Sequence, residues 1–443
     1  MPTRWFRLTA LALLAATLAL PLLALLASTL WWDTASSQVL RELAQTVLPD
    51  YLWTSVVLSL LVGAGVLAVG LAAAVAVTLF DFAGRKTFEW LLLLPLAMPA
   101  YVVAYAYTDF FQFGGPFQHA VRDLFGLQGR VFPELRSLAG AAWVFVFVLY
   151  PYVYLLARSA LSERAAHLME AARLLGAPLS RRIRQIALPL ARPALAAGVA
   201  LALMETLADF GVSSYFGIQT FTAGIYKAWL VLDNRVAAAQ LALLLLALVA
   251  LLLQLEQQAQ RRLRFAVAAG AGGRVAQPVL LHGRGRVLAW LVCLLPLLFG
   301  FVLPLLFMLR PLVADWSVLP WRSFLRWAGN SVYLAVLSAA LALAVALWLA
   351  WNQRRHPDAP TRALVQLVGL GYAVPGAVLV VGLLLPLGWL QSAAPQIGVG
   401  YLIGATSLGL FWAYLARFCA VALQTVQSGY ARIPASFDDA ARL

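Results

Sequence analysis

The amino-acid sequence predicts an all-α polytopic membrane protein of two tandem parallel six-helix repeats, the second truncated, with about ten membrane-spanning helices present. Three observations carry this prediction. Of 443 residues, 63% are hydrophobic and 11% charged, and the mean hydropathy is +0.86; an average soluble domain is roughly 25% charged. Apolar runs long enough to cross a bilayer as helices recur along the chain. Short signatures recur at a nearly constant distance. A soluble enzyme, a secreted disulfide scaffold and a disordered regulator are excluded.

Charge narrows the reading. Thirty-two Lys and Arg stand against 18 Asp and Glu, a net charge of +14. In so apolar a chain this excess marks cytoplasmic loops between helices, not nucleic-acid binding. Cys293 and Cys419 fall in apolar runs and read as small buried hydrophobes rather than a disulfide or metal framework. His119, His167, His282 and His356 lack metal-ligand spacing, so no metal site and no cofactor are expected.

The first segment follows Arg4 and Arg7 and runs from Leu8 to Leu30, about 23 residues. A signal-peptide core is roughly 7–15 residues, so this is an uncleaved membrane helix with its N-terminus in the cytoplasm. Further segments lie near 52–80, 88–109, 138–158, 190–214, 236–256, 286–309, 328–351, 363–388 and 398–424. The even-numbered connections are then cytoplasmic, and they hold most of the basic residues: Arg85 and Lys86; Arg158 through Arg192; Arg261 through Arg284; Arg354, Arg355 and Arg362. The loop after segment seven, with Arg310, Arg322 and Arg326, fits less well.

Residues 257–285 are basic and Gly-containing and read as a cytoplasmic linker between a first repeat, 1–256, and a second, 286–443. Thr54-Ser55-Val56 matches Asn330-Ser331-Val332, and Pro99-Ala100 matches Pro375-Gly376, both at an offset of 276. Glu170-Ala171-Ala172-Arg173-Leu174 matches Asp439-Ala440-Ala441-Arg442-Leu443 at 269, as expected if the second half has a shorter outer loop. The second repeat stops inside this motif, two spanning helices short, and is expected to be truncated at its C-terminus.

The cytoplasmic loop 158–192 carries the functional signature: Glu170-Ala171-Ala172, three residues, Gly176, nine residues, Ile186, one residue, Leu188-Pro189. Residues 163–175 can form a short helix with an apolar face of Ala171, Ala172, Leu174 and Leu175. Gly176 can end it in the left-handed conformation, with Pro178 soon after. A second helix carrying Arg181, Arg182 and Arg184 completes a helix–turn–helix lying along the membrane surface. The pattern resembles the Glu-Ala-Ala loop of permease subunits of binding-protein-dependent ABC importers, and all seven fixed positions match. The resemblance covers essentially the whole chain. It implies that Glu170, Ala171, Ala172, Gly176, Ile186, Leu188 and Pro189, with Asp439, Ala440 and Ala441 in the second copy, seat in an ABC ATPase subunit dimer. It also implies a periplasmic substrate-binding protein as partner and a bacterial inner (plasma) membrane location. The only lysines, Lys86 and Lys227, do not follow glycine, so no phosphate loop is present and the chain is a transport subunit, not an enzyme.

Segment five holds Glu205 and Asp209, one helical turn apart on one face. They are candidates for a negative stripe on the translocation path, or for bonds to neighbouring helices and a cap at the Gly211 break. With the aromatic stretch from Tyr215 to Trp229, this region resembles the fused two-half ferric-iron permeases, which implies ferric iron as substrate. Thiamine and polyamine permeases are the alternative within the class, and an ion-coupled secondary transporter the alternative outside it. Pro99 and Pro375 are expected to kink segments three and nine, either shaping gate helices on the path or as ordinary packing.

Overall fold

The computed structural model describes residues 2–31, 34–163, 166–264, 278–398 and 406–431, with positions 433 and 437. Asp439, Ala440 and Ala441 lie outside the described residues, as does 265–277 of the linker. The protein is all-α. Its one pairing of strands among the described residues joins Phe80–Asp81 in parallel to Val279–Leu280. Among the described residues, nine helices are long and apolar enough to cross a membrane, and one further bent pair passes the same test. In hydrocarbon every backbone N–H and C=O must be satisfied within the chain, which is why long apolar runs become helices. The protein is a multi-pass membrane protein.

The chain forms two compact units. The larger comprises residues 45–224 and 250–317. It is built on α3 (Leu48–Leu79), α7 (Leu138–Glu163) and α10 (Leu188–Ala208), which pack on one another. Their shared core includes Val62, Val66, Val144, Tyr150, Val153 and Ala202. Small residues let the backbones approach. A Cβ on Gly70 of α3 would lie 2.8 Å from the Tyr150 carbonyl oxygen, and one on Gly198 of α10 would lie 2.7 Å from Val153 Cα. The apolar run from Arg284 to Ala314 also belongs here. It runs as one helix, α14 (Arg284–Leu297) continuing through a π turn at Leu298–Val302 into α15 (Leu303–Ala314), and these pack on α3 and on α5 (Ala100–Phe111) respectively.

The smaller unit comprises residues 1–44, 225–249 and 318–443. It contains α1 (Pro2–Ala27), α2 (Thr34–Gln45), the start of α13 (Arg235–Arg264), α16 (Trp321–Arg355), α17 (Ala359–Gly369), α18 (Gly376–Ala393) and α19 (Leu408–Ala431). Leu11, Ala15 and Leu18 of α1 pack with Ala346, Leu349, Val365, Val368, Cys419 and Leu423. Arg7 pairs with Asp358 at 2.8 Å, and the Trp412 indole donates to the Thr17 carbonyl at 2.8 Å. Helix α1 therefore packs with helices of residues 318–443, and α14 and α15 with helices of residues 45–224.

Segment three is not a single kinked helix. It comprises α4 (Arg85–Leu91), a 3-10 turn at Leu94–Ala97, and then α5, which starts at Ala100. The bent pair Arg85–Ala97 and Ala100–Phe125 turns through 86°. Segment nine divides in the same way: α17, a 3-10 turn at Leu370–Ala373, then α18 from Gly376. Pro99 and Pro375 are the N-cap residues of α5 and α18, with ψ of 137° and 146°. The pyrrolidine ring drives the preceding residue out of the helical region. Met98 and Val374 are accordingly extended, with ψ of 124° and 121°. The helices restart at these prolines instead of bending through them. The carbonyls freed at the first break accept hydrogen bonds from α7: Tyr150 Oη to Leu92 at 2.9 Å and Tyr154 Oη to Glu89 at 3.0 Å. Arg158 reaches the Glu89 carboxylate at 2.8 Å.

Candidate functional site

The 158–192 loop is a compact helix–turn–helix. Its first element, α8 (Ala166–Leu174), ends at Gly176, whose φ is +79°. The Gly176 amide bonds the Arg173 carbonyl at 3.0 Å, and the Ala177 amide bonds Ala172 at 2.9 Å. This paired closure caps the helix and requires the left-handed residue that Gly176 supplies. Pro178 then opens α9 (Leu179–Arg182).

The second helix is not a separate surface element. It continues through a π-helical turn at Ile183–Ala187 into α10, so that one apolar helix runs from Leu179 to Ala208. Pro189 has no N–H to return to Gln185. The Leu188 amide bonds Ile183 instead, inserting the wider turn. Ile186, Leu188 and Pro189 thus form the junction of the loop with the spanning helix, each half-buried.

Met169 is the inward anchor of α8, 5% exposed, with its carbonyl accepting from Arg182 at 3.5 Å. Glu170 and Ala172 are half-buried and Ala171 is exposed. Leu168, Leu174 and Leu175 are 52%, 89% and 87% exposed. Leu168, Ala171 and Leu175 lie three and four residues apart and so share one face of the helix, with Leu174 beside them. A rigidly capped helix therefore presents an open leucine and alanine surface with Arg173, Arg181 and Arg184 exposed around it.

The second group of candidate residues lies in a broken segment of the larger unit. Helix α10 ends at Ala208, and α11 (Gly211–Phe216) and α12 (Phe221–Tyr226) follow. The Asp209 carboxylate accepts from the Val212 amide at 2.7 Å, closing the first turn of α11. Thr222 donates to the Leu207 carbonyl at 2.6 Å, and the Phe221 amide to the Ser55 hydroxyl at 3.4 Å. Glu205 is half-buried on α10, one turn before Asp209. Sequence reasoning missed the buried hydroxyls that serve this break: Ser55, Thr206, Ser213, Thr220 and Thr222. Their signal was Ser and Thr at positions where an apolar segment offers no water. The structure brings Glu205 and Asp209 to one broken segment. Pro99 caps α5, another helix of that unit, and Pro375 caps α18 of the smaller unit.

Together these features define a multi-pass helical membrane protein with a preformed, apolar-faced helix–turn–helix between two of its spans. Residues 66–265 match the model of the family described as "Binding-protein-dependent transport system inner membrane component". The chain is similar to the putative 2-aminoethylphosphonate transport system permease protein PhnU of Salmonella choleraesuis (strain SC-B67), at 27% identity over 41% of this chain and 64% of that one. It is similar to the sulfate transport system permease protein CysW of Escherichia coli (strain K12), at 29% over 40% of this chain and 58% of that one. It is also similar to the Fe(3+)-transport system permease protein FbpB 2 of Haemophilus influenzae (strain ATCC 51907 / DSM 11121 / KW20 / Rd), at 24% over 75% of this chain and 62% of that one. The chain thus spans about three fifths of the length of these relatives.

Proposed function

We propose that the protein is the transmembrane permease of an ATP-driven importer that moves ferric iron delivered by a periplasmic binding protein. The similarity to the Fe(3+) permease supports this substrate, because it extends over 351 residues and therefore into both repeats. The phosphonate and sulfate permeases match only 184 and 181 residues. In this reading the N-terminus and the 158–192 loop face the cytoplasm of a bacterium. The exposed face of Leu168, Ala171, Leu174 and Leu175 seats in the ATPase subunit dimer, with Asp439, Ala440 and Ala441 opening the second such loop. The rigid turn at Gly176 and the unbroken helix from Leu179 then carry the motion of the ATPase into the bundle. The movement is alternating access without bond chemistry on the substrate. Glu205 lies on the path, Asp209 shapes it by holding the helix break, and Pro99 and Pro375 set where α5 and α18 begin.

The test is uptake of radiolabelled ferric iron into proteoliposomes holding this chain, its ATPase and its binding protein. ATP-dependent uptake that sulfate, 2-aminoethylphosphonate, thiamine and spermidine leave unaffected is expected. ATP-dependent uptake of one of those four, with none of iron, overturns the substrate. Uptake that persists without ATP and collapses with an uncoupler overturns the mechanism.

A further inference from the structure

A groove of about 340 Å³ runs between α16 and α19 of the smaller unit, and among the described residues only these two helices line it. Small residues form its α16 wall: Ser331, Ala335 and Ala339, four apart and all exposed. Tyr414 and Phe418 form its α19 wall, 37% and 45% exposed. The larger unit carries the matching positions closed over. The offset of 276 that relates Asn330-Ser331-Val332 to Thr54-Ser55-Val56 places Ser331, Ala335 and Ala339 on Ser55, Ser59 and Gly63 of α3. Ser55 and Gly63 are buried and Ser59 is half-buried. The offset of 269 places Tyr414 and Phe418 on Phe145 and Leu149 of α7, 1% and 6% exposed. What closes that face is the chain that follows the 158–192 loop. A Cβ on Gly63 would lie 3.6 Å from Val199 and Leu203 of α10, and the Ser55 hydroxyl accepts from the Phe221 amide of α12 at 3.4 Å. Helix α10 packs on both α3 and α7. Helices in lipid associate where small residues let their backbones approach, because acyl chains are as apolar as the side chains they would replace. An open stripe of small residues opposite two half-covered aromatic rings therefore fits a helix, in the register that α10 occupies on α3.

We propose that this groove seats one apolar membrane-spanning helix of the α10 pattern, the helix that the second Glu-Ala-Ala loop leads into. The proposal rests on the reading that Asp439, Ala440 and Ala441 open such a loop. The occupant's counterparts of Val199 and Leu203 lie on Ala339, and its seating covers Tyr414 and Phe418 as Phe145 and Leu149 are covered. The 21 residues of α10 make a helix about 32 Å long, enough to cross the hydrocarbon.

The probe is a peptide of α10, residues 188–208 with Val199→Cys. It is reconstituted in phosphatidylcholine nanodiscs with the full chain carrying Cys293→Ala and Cys419→Ala. Disulfide formation demands close, aligned Cβ atoms, so oxidation should join the peptide to Ala339→Cys about tenfold faster than to Ala340→Cys. Ala340 is exposed at the same depth but about 100° round the helix. Ala339→Trp, which fills the groove, should abolish binding of the fluorescent peptide. Ala340→Trp, an equally bulky change on exposed surface, should leave it intact, and a scrambled peptide should bind neither. Equal crosslinking at the two positions, no binding of the peptide, or undiminished binding to Ala339→Trp overturns the proposal and leaves lipid as the occupant. Crosslinks at Ala339→Cys between two copies of the chain, which the peptide does not displace, overturn it in favour of a second copy. Neither ATPase nor iron is in the assay, so its failure leaves the coupling role of the 158–192 loop standing. Failure of ATP-dependent uptake likewise leaves a crosslink at Ala339→Cys unchanged.

Discussion

Substitutions at Gly176 isolate the backbone geometry of the loop from its packing. The residue has φ +79°, and a Cβ built there meets nothing within 4 Å. Any cost is therefore conformational rather than steric. An L residue in the left-handed region costs roughly 1–2 kcal/mol, and Asn, which visits it readily, costs least. Valine, branched at Cβ, belongs at the top of that range, about 2 kcal/mol. That is a factor of about 30 in the equilibrium between the closed turn and an open one. The bonds at stake are Gly176 to Arg173 at 3.0 Å and Ala177 to Ala172 at 2.9 Å. Hydrogen exchange at the amides of residues 176 and 177 reads this opening directly. Gly176→Val should exchange about 30-fold faster there, Gly176→Ala several-fold and Gly176→Asn barely more than the parent. Membrane insertion should be unchanged in all three, while transport coupled to the ATPase falls in the same order. If valine and asparagine exchange alike, the conformational argument is refuted. If exchange rises but coupling does not fall, the loop's role in coupling is refuted.

Three further outcomes are expected. Asp358 caps α17 through the Thr361 amide at 2.9 Å and pairs with Arg7 at 2.8 Å. Hydrogen bonds from Thr361 first, and then Arg7, hold its carboxyl well below the usual carboxylate range. A depressed folded-state pKa contributes stability that is complete above about pH 4 and fades as the pH falls below that; Asp358→Asn should flatten this acid limb of the thermal midpoint while keeping the cap. Tyr150→Phe should cost about 1–3 kcal/mol in detergent-phase unfolding, because it leaves the Leu92 carbonyl at the α4 break without its donor; an unchanged midpoint would mean that the break is satisfied otherwise. Asp209→Asn keeps an acceptor for the Val212 amide and should transport, whereas Asp209→Ala should not; loss of transport in both would show that the charge itself is required.

Much of the site was legible along the chain because its determinants are local. The spacing from Glu170 to Pro189, the glycine that must turn left-handed, and the proline after it are all properties of consecutive residues, and the turn forms as that pattern demands. The fate of the second helix was not legible. Helix α9 flows into α10 because Pro189 forces a π turn that keeps the chain helical. At Pro99 and Pro375 the same residue type interrupts the helix, and the residue before each is extended. One proline signal has two outcomes, a widened turn at Pro189 and a break at Pro99 and Pro375.

Composition and apolar run length determined that this chain is helical and multi-pass, since hydrocarbon admits few other backbones. They placed most of the long helices, but not the breaks within segments three and nine or the start of the helix that runs from Leu179 to Ala208. Which helices share a core was decided by tertiary packing. Helix α1 joins α17, α18 and α19, and α14 joins α3, although each pair is far apart in sequence. Apolar runs are nearly interchangeable in hydropathy, so their pattern does not specify a partner. Close approach at small residues such as Gly70 and Gly198, and single polar clasps such as Arg7 with Asp358, do specify it, and these depend on surfaces meeting in three dimensions.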